Sequence, residues 1–347
     1  MIAGALLPLS GTQSLTGDEC LRGIQLAADA VNATGGIAGV PLSMAAGDAF
    51  GQGQAEGVTQ SLINTGHAGL SLGSGVSALS FPGSAAAELA QIPFIELCAP
   101  ADGITNRGFH FLLRTGPTST MIAATALTSI IKRFPGKKLG LLFNTGATAG
   151  AIAGAIAAAL QQARTPPILA IGYAEDSADL HDPAGRMKRA GVEVLLHAAG
   201  PSDVLNLFLA MQNLGWKPQA VIGAGDGYAL RETAYALGPA FDDTFIIAAP
   251  FYPPRAAYIA DAYQQRFGMP PRSADSLTCF VGAKLVFDML NQAGGDATRL
   301  LAAMRKTDIP GGELANGWGV SFDKNGQNTR SFTTLQQWRD ATLTALS

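Results

Sequence analysis

The sequence predicts an α/β protein built from two doubly wound, Rossmann-like parallel sheets. Short continuous apolar runs alternate with longer segments of helical periodicity along almost the whole chain, the pattern of βαβ units. The apolar runs lack in–out alternation, as expected of strands buried on both faces. A length of 347 residues is material for about two domains at roughly 150 residues each.

In order, the strands are expected at Ile2–Leu7, Leu42–Ala46, Ala68–Leu72, Pro93–Leu97, Leu139–Phe143, Ile168–Gly172, Val192–His197, Ala220–Gly223 and Thr244–Ala249. Between them, Asp18–Asn32 carries Leu21, Ile24, Ala28 and Val31 on one stripe and stops at Gly35-Gly36. Ser119–Phe134, Ala149–Ala163, Ser177–Ala190, Ser202–Leu214, Ala256–Phe267 and Ala274–Ala293 read as helices in the same way. Ala149–Ala163 is nearly all Ala, Gly and Ile, which suits a helix packed closely on a sheet. Near the end, Asn325-Gly326 separates Gly319–Phe322 from Ser331–Leu335 and predicts a hairpin.

Composition excludes several classes. Charged residues make up 14% and hydrophobic residues 48%, the opposite of a disordered chain. A net charge of −3 without a dense basic run argues against a nucleic-acid partner. Apolar stretches such as Ala147–Leu160 are interrupted and shorter than the roughly 20 residues of a membrane span, so no membrane insertion is expected. Cys20, Cys98 and Cys279 are too few and too scattered for a disulfide framework or a CxxC metal site, and they leave the redox compartment open.

Candidate chemistry sits at strand ends. Gly73-Ser74-Gly75-Val76-Ser77-Ala78 matches G-x-G-x-x-A, with Glu96 where a ribose-binding acid would stand; it reads either as a dinucleotide fingerprint or as a tight turn into a helix. Ser71 has G-x-S-x-G neighbours but lies within its strand, where it cannot form a nucleophile elbow. The four histidines show no helical metal-pair spacing. Asp48 ends the second strand and is read as a helix cap. Asp226, in Gly223-Ala224-Gly225-Asp226-Gly227, serves a turn or a ligand equally well.

The block Gly4-Ala5-Leu6-Leu7-Pro8-Leu9-Ser10-Gly11, with Gly17, Gly23, Ala27-Ala28, the run Asn32-Ala33-Thr34-Gly35-Gly36-Ile37-Ala38-Gly39 and Asp48, resembles the type I periplasmic solute-binding proteins of ABC importers, in their leucine/isoleucine/valine-binding branch. The likeness continues through Ile92-Pro93-Phe94-Ile95, Asn106-Arg107-Gly108, Arg114-Thr115, Gly215-Trp216-Lys217-Pro218-Gln219 and Val320-Ser321-Phe322-Asp323 with Gly326, so it covers essentially the whole chain.

The resemblance implies two doubly wound lobes joined by three crossovers near Pro117, Ala249 and Asn325. Lobe 1 is then 1–117 plus 250–325, lobe 2 is 118–249 plus 326–347, and the ligand cleft lies between them. It implies a periplasmic or otherwise extracytoplasmic location with the leader peptide absent from this chain, an importer's membrane permease as partner, no cofactor, no metal and no catalysis. Carried over by position, Ser77 and the backbone of Cys98 and Ala99 hold a ligand's anionic end, and Asp226 receives its ammonium. Thr16, Thr148 and Gly200 replace pocket aromatics, and Phe280 keeps one. Pro100 departs from the family's clamp threonine, lacking both hydroxyl and N–H. Glu96 stands where a small residue is usual; it favours a cationic or hydroxyl-rich ligand, or else pairs with Arg107. The disulfide of some relatives has no counterpart among the three cysteines. The implied function is a receptor that closes by a hinge on a small polar ligand, an amino acid of branched-chain type or a derivative. The alternatives are a cytoplasmic amide or amino-acid sensor of the same fold acting on a regulatory partner, and a nucleotide-dependent enzyme using Gly73–Ala78.

Overall fold

A computed structural model describes residues 1–346. The chain forms two compact units: Met1–Pro117 with Tyr252–Phe332, and Thr118–Phe251 with the segment from Thr333 onward.

The first unit begins β1 (Ile2–Leu7), α1 (Ser14–Asn32), β2 (Ser43–Asp48), α2 (Gln52–Asn64), β3 (Leu70–Gly73), α3 (Ser77–Leu89), β4 (Phe94–Glu96), α4 (Gly103–Asn106) and β5 (Leu112–Arg114). These strands form one parallel sheet in the order β2-β1-β3-β4-β5. Ala3, Ala5 and Leu7 of β1 face the core shared with α1, while Leu6 on the other face approaches Gly83 of α3. Burial on both faces is why β1 reads as an unbroken apolar run.

The second unit runs α5 (Ser119–Arg133), β6 (Leu139–Asn144), α6 (Ala147–Gln162), β7 (Leu169–Tyr173), α7 (His181–Ala190), β8 (Val194–Ala198), α8 (Pro201–Asn213), β9 (Ala220–Ala224), α9 (Asp226–Ala229), α10 (Arg231–Leu237) and β10 (Phe245–Ala248). Along β8, Val194, Leu196 and Ala198 join the core with α5 and α6, whereas Leu195 joins the core with α7 and α8. The alanine-rich α6 is packed as expected, burying Ala149, Ile152, Ala153, Ile156 and Leu160.

The chain then returns to the first unit as α11 (Ala257–Phe267), α12 (Asp275–Gln292), α13 (Ala297–Arg305), β11 (Asp308–Ile309) and β12 (Val320–Ser321). Helix α12 lies directly on α1, since a Cβ on Gly23 would stand 2.2 Å from the carbonyl oxygen of Ser276. Only glycine allows that approach. The last segment, β13 (Thr334–Arg339) and β14 (Thr342–Ala345), completes the second sheet in the order β14-β13-β10-β9-β8-β6-β7, with β13 antiparallel to β10.

The hairpin expected around Asn325-Gly326 forms with a nearer second arm than Ser331–Leu335: Phe322 bridges Asn328 antiparallel, and the N–H groups of Asp323 and Thr329 donate to the carbonyls of Gln327 and Ser321. Its turn is present, with Gly326 at φ +83 and Asp323 Oδ1 accepting from the N–H groups of Asn325 and Gln327. The pairing stops before the expected second arm: β12 pairs with β11, and β13 pairs with β10 and β14. Residues 326–332 stay with the first unit rather than the second because Gln327 and Asn328 are bonded to Arg114, Thr115 and Gly116. Strand β5, with only two apolar residues before Arg114, has no expected counterpart.

Candidate functional site

Each parallel sheet has one place where strand order reverses, and the loops at the C-terminal strand ends there are where open α/β sheets bind ligands. In the first unit this point lies between β1 and β3. Thr16, in the first turn of α1 after β1, and Ser77, the first residue of α3 after β3, therefore flank it, and both are buried. In the second unit the reversal lies between β6 and β8, with β9 beside β8. Thr148 near the start of α6, Gly200 before α8 and Asp226 at the start of α9 occupy the corresponding loops. Gly225, at φ +99, makes the bend that leads into Asp226.

Glu96 is the electrostatic centre of the first unit's strand ends. Its fully buried side chain accepts from the N–H groups of Ser74 (2.8 Å), Leu97 (3.0 Å), Cys98 (3.0 Å) and Ala99 (2.8 Å) through Oε1, and from the Ser80 hydroxyl (2.5 Å) through Oε2. Arg114, its register neighbour on β5 and also fully buried, donates to the carbonyls of Ala99 (3.0 Å) and Ala101 (2.7 Å), to Gln327 (2.5 Å) and to the Thr105 hydroxyl (3.2 Å). Burial lowers the Arg114 guanidinium to about 10, and the nearby Glu96 charge opposes that shift. The loop after β4 is thus held by its N–H groups on an internal anion and by its carbonyls on an internal cation.

This geometry corrects several expectations. The N–H groups of Cys98 and Ala99, expected to hold a ligand's anionic end, donate to Glu96 Oε1 in this structure. Ser77 Oγ accepts from the Ala101 N–H at 3.2 Å. Arg107 pairs not with Glu96 but with the Phe81 and Ile104 carbonyls and the Ser84 hydroxyl. Asp48 does not cap a helix; its Oδ1 accepts from Leu9 (2.8 Å) and Ser10 (3.1 Å) and fixes the loop after β1. The Gly73–Ala78 turn cradles the chain's own Glu96 carboxylate. Phe280, on α12, lines a cavity of about 420 Å³ with Tyr258, Lys284, Leu285 and Asp288, which shares no residue with the Ser77 turn.

The three cysteines are not scattered in space. Cys20 on α1, Cys98 after β4 and Cys279 on α12 bring their sulfurs within 4.8 Å of one another, with Cys98 and Cys279 at 3.3 Å. Hydrogen bonding from Cys279 and then Cys98 lowers the Cys20 thiol to about 6.

In the second unit, Asn144 at the end of β6 donates to Asp203 Oδ2 at 2.6 Å, and burial raises the Asp203 carboxyl. His197 bridges the hydroxyls of Tyr173 and Tyr228, each at 2.6 Å, and complete burial lowers its imidazole to about 3. It is a neutral structural histidine. Asn144 and Asp203 are not singled out by the sequence because they lie in ordinary apolar and helical patterns, and Arg114 enters only through the resemblance; for Asn144 and Arg114 the available signal is a polar residue ending a buried strand.

The family model for periplasmic binding proteins matches residues 3–342. The Leu/Ile/Val-binding protein homolog 8 of Brucella abortus is 34% identical over 357 residues, covering 98% of this chain and 88% of the relative. Homolog 7 of the same organism is 33% identical, covering 98% and 89%. Among solved structures, the leucine-binding protein LivK of Thermotoga maritima superposes with a TM-score of 0.88 at 16% identity, covering 100% of this chain and 98% of the other. A Rhodopseudomonas palustris solute-binding protein in complex with benzoate gives 0.85 at 18%, covering 100% and 95%. The chain belongs to the periplasmic binding protein family and is a solute-binding protein, not an enzyme.

Proposed function

We propose that this protein is the extracytoplasmic receptor of an ABC importer for a small polar solute that presents an amide, ammonium or hydroxyl group, and no free carboxylate, to the first unit. The observation that carries the ligand class is Glu96. A backbone N–H has one proton to donate; those of Ser74, Cys98 and Ala99 already donate to this carboxylate, and that of Leu97 is shared between it and the Gly73 carbonyl. A second carboxylate arriving there would meet occupied donors and a like charge. Amides and amines derived from amino acids fit this requirement, as do hydroxyl-rich solutes.

Ser77 and Thr16 supply hydroxyl groups beside the first switch point, and Thr148 and Asp226 are the contacts offered by the second unit, with Asp226 receiving a cationic end. Binding by both sets of loops shifts an open–closed equilibrium about the three crossovers, and the closed form is what a membrane permease recognises. Relatives named for leucine, isoleucine and valine, and a structural neighbour bound to benzoate, support a small-solute receptor and span more than one ligand class.

Matched pairs test the reading: titration calorimetry and thermal shift with each amino acid and its amide, plus simple amines and polyols. The proposal expects 1:1 binding within the carboxylate-free set and none among the free acids. Micromolar 1:1 binding of a free amino acid would overturn the assigned ligand class.

A further inference from the structure

We propose that Cys20, Cys98 and Cys279 form a three-thiolate site for one soft, low-coordinate d10 metal ion, of which Cu(I) is the type. These are the only three cysteines in 347 residues, yet all three converge on one spot from α1, the loop after β4 and α12. A disulfide uses two sulfurs and leaves the arrival of the third without a purpose. Three thiolates around one ion use all of them. With metal–sulfur bonds of about 2.3 Å, ligands in a trigonal plane stand about 4 Å apart. The three sulfurs here already lie within 4.8 Å of one another.

The positions are set by packing independent of any ion. Gly23 seats α1 against Ser276 of α12, and Cys20 and Cys279 each lie three residues from that contact. Cys98 is placed by the Glu96 and Arg114 bonds to its loop. Cys20 and Cys279 are buried and Cys98 is half-buried, so Cys98 is the residue of the three nearest solvent. No carboxylate or imidazole joins the group as a fourth ligand among the described residues. Zinc prefers four ligands in a tetrahedron, whereas soft thiolate sets select Cu(I). On binding, each coordinating S–H releases its proton to bulk water, and neither sulfur nor metal changes oxidation state.

The test is anaerobic titration of the fully reduced protein with Cu(I) supplied by a competing chelator. It is read with native mass spectrometry and with the rate of iodoacetamide labelling at Cys98. The site predicts one Cu(I) per chain, protection of Cys98 from alkylation, and at least a tenfold loss of affinity in each of Cys20→Ser, Cys98→Ser and Cys279→Ser. Circular dichroism melting of each variant confirms that the fold is kept. No uptake at one equivalent would overturn the site. So would a Cys20→Ser variant that binds as tightly as the wild type. A chain isolated two hydrogens lighter, with Cys98 joined to Cys279, that takes up no Cu(I) after reduction would assign the pair to a disulfide instead.

Discussion

Replacing Glu96 with glutamine tests the internal-anion account at nearly constant volume. Three N–H groups at 2.8–3.0 Å, those of Ser74, Cys98 and Ala99, then face a neutral amide oxygen in place of a carboxylate. A hydrogen bond to a charged acceptor contributes about 1.5–3 kcal/mol and a neutral one about 0.5–1.5 kcal/mol. The change therefore costs about 1 kcal/mol per bond, or about 3 kcal/mol together. Arg114, fully buried, also loses the negative charge beside it. For a unit of this size, about 2–4 °C of Tm accompanies each kcal/mol, so the first unit of Glu96→Gln should melt roughly 6–12 °C below wild type. Scanning calorimetry at pH 7 reads the shift. In Glu96→Ala the cradle is emptied, and added formate should recover part of the loss while leaving the wild type unchanged. A Glu96→Gln shift under about 2 °C would refute the reasoning, because the carboxylate would then be doing little of the holding assigned to it.

Three further outcomes follow from the same geometry. Asp226→Ala should weaken a ligand carrying an ammonium at least tenfold by titration calorimetry, as expected from a charge-assisted hydrogen bond of about 1.5–3 kcal/mol; unchanged affinity removes Asp226 from the site. His197 is neutral in the folded protein down to about pH 3, whereas an unfolded histidine takes its proton near 6.5. The unfolded state thus binds more protons in this window, and stability should fall as pH drops from 6.5 towards 3, by up to about 1.4 kcal/mol per pH unit. Asp203 and Glu175, raised by burial, act in the opposite sense, so the wild type is compared with His197→Gln, in which the slope should be shallower. Gly23→Ala places a methyl 2.2 Å from the Ser276 carbonyl oxygen and should destabilise the first unit by about 1–3 kcal/mol in denaturant melts, whereas Gly57→Ala, with open space around it on α2, should be neutral or stabilising.

The alternation of apolar runs and helices exposed most of the architecture because parallel strands buried on both faces leave a dense local pattern. The places where it failed are those decided by distant partners. The Asn325-Gly326 turn is locally sound, but the residues after it answer to Arg114 and then to β10. The longer hairpin, β13–β14, turns through Asp340 and Ala341, both at positive φ, without the glycine that usually marks such a turn. At the site, Ser77 and Asp226 could be located from strand ends. The target of Glu96 could not, because its donors come from two separate strand-end segments that meet only in the folded sheet. For the same reason the three cysteines, unremarkable by spacing, become a cluster only once α1 and α12 are packed together.

The central claim, a receptor whose first unit supplies its own carboxylate, is tested most directly by what the protein selects from a mixture. The purified protein is incubated with a complex metabolite extract, washed, shown by native mass spectrometry to carry one small molecule per chain, and denatured to release it. The account predicts a single stoichiometric compound with an amide, amine or hydroxyl end and no free carboxylate. A stoichiometric amino acid or organic acid, or a chain that retains nothing, would contradict it.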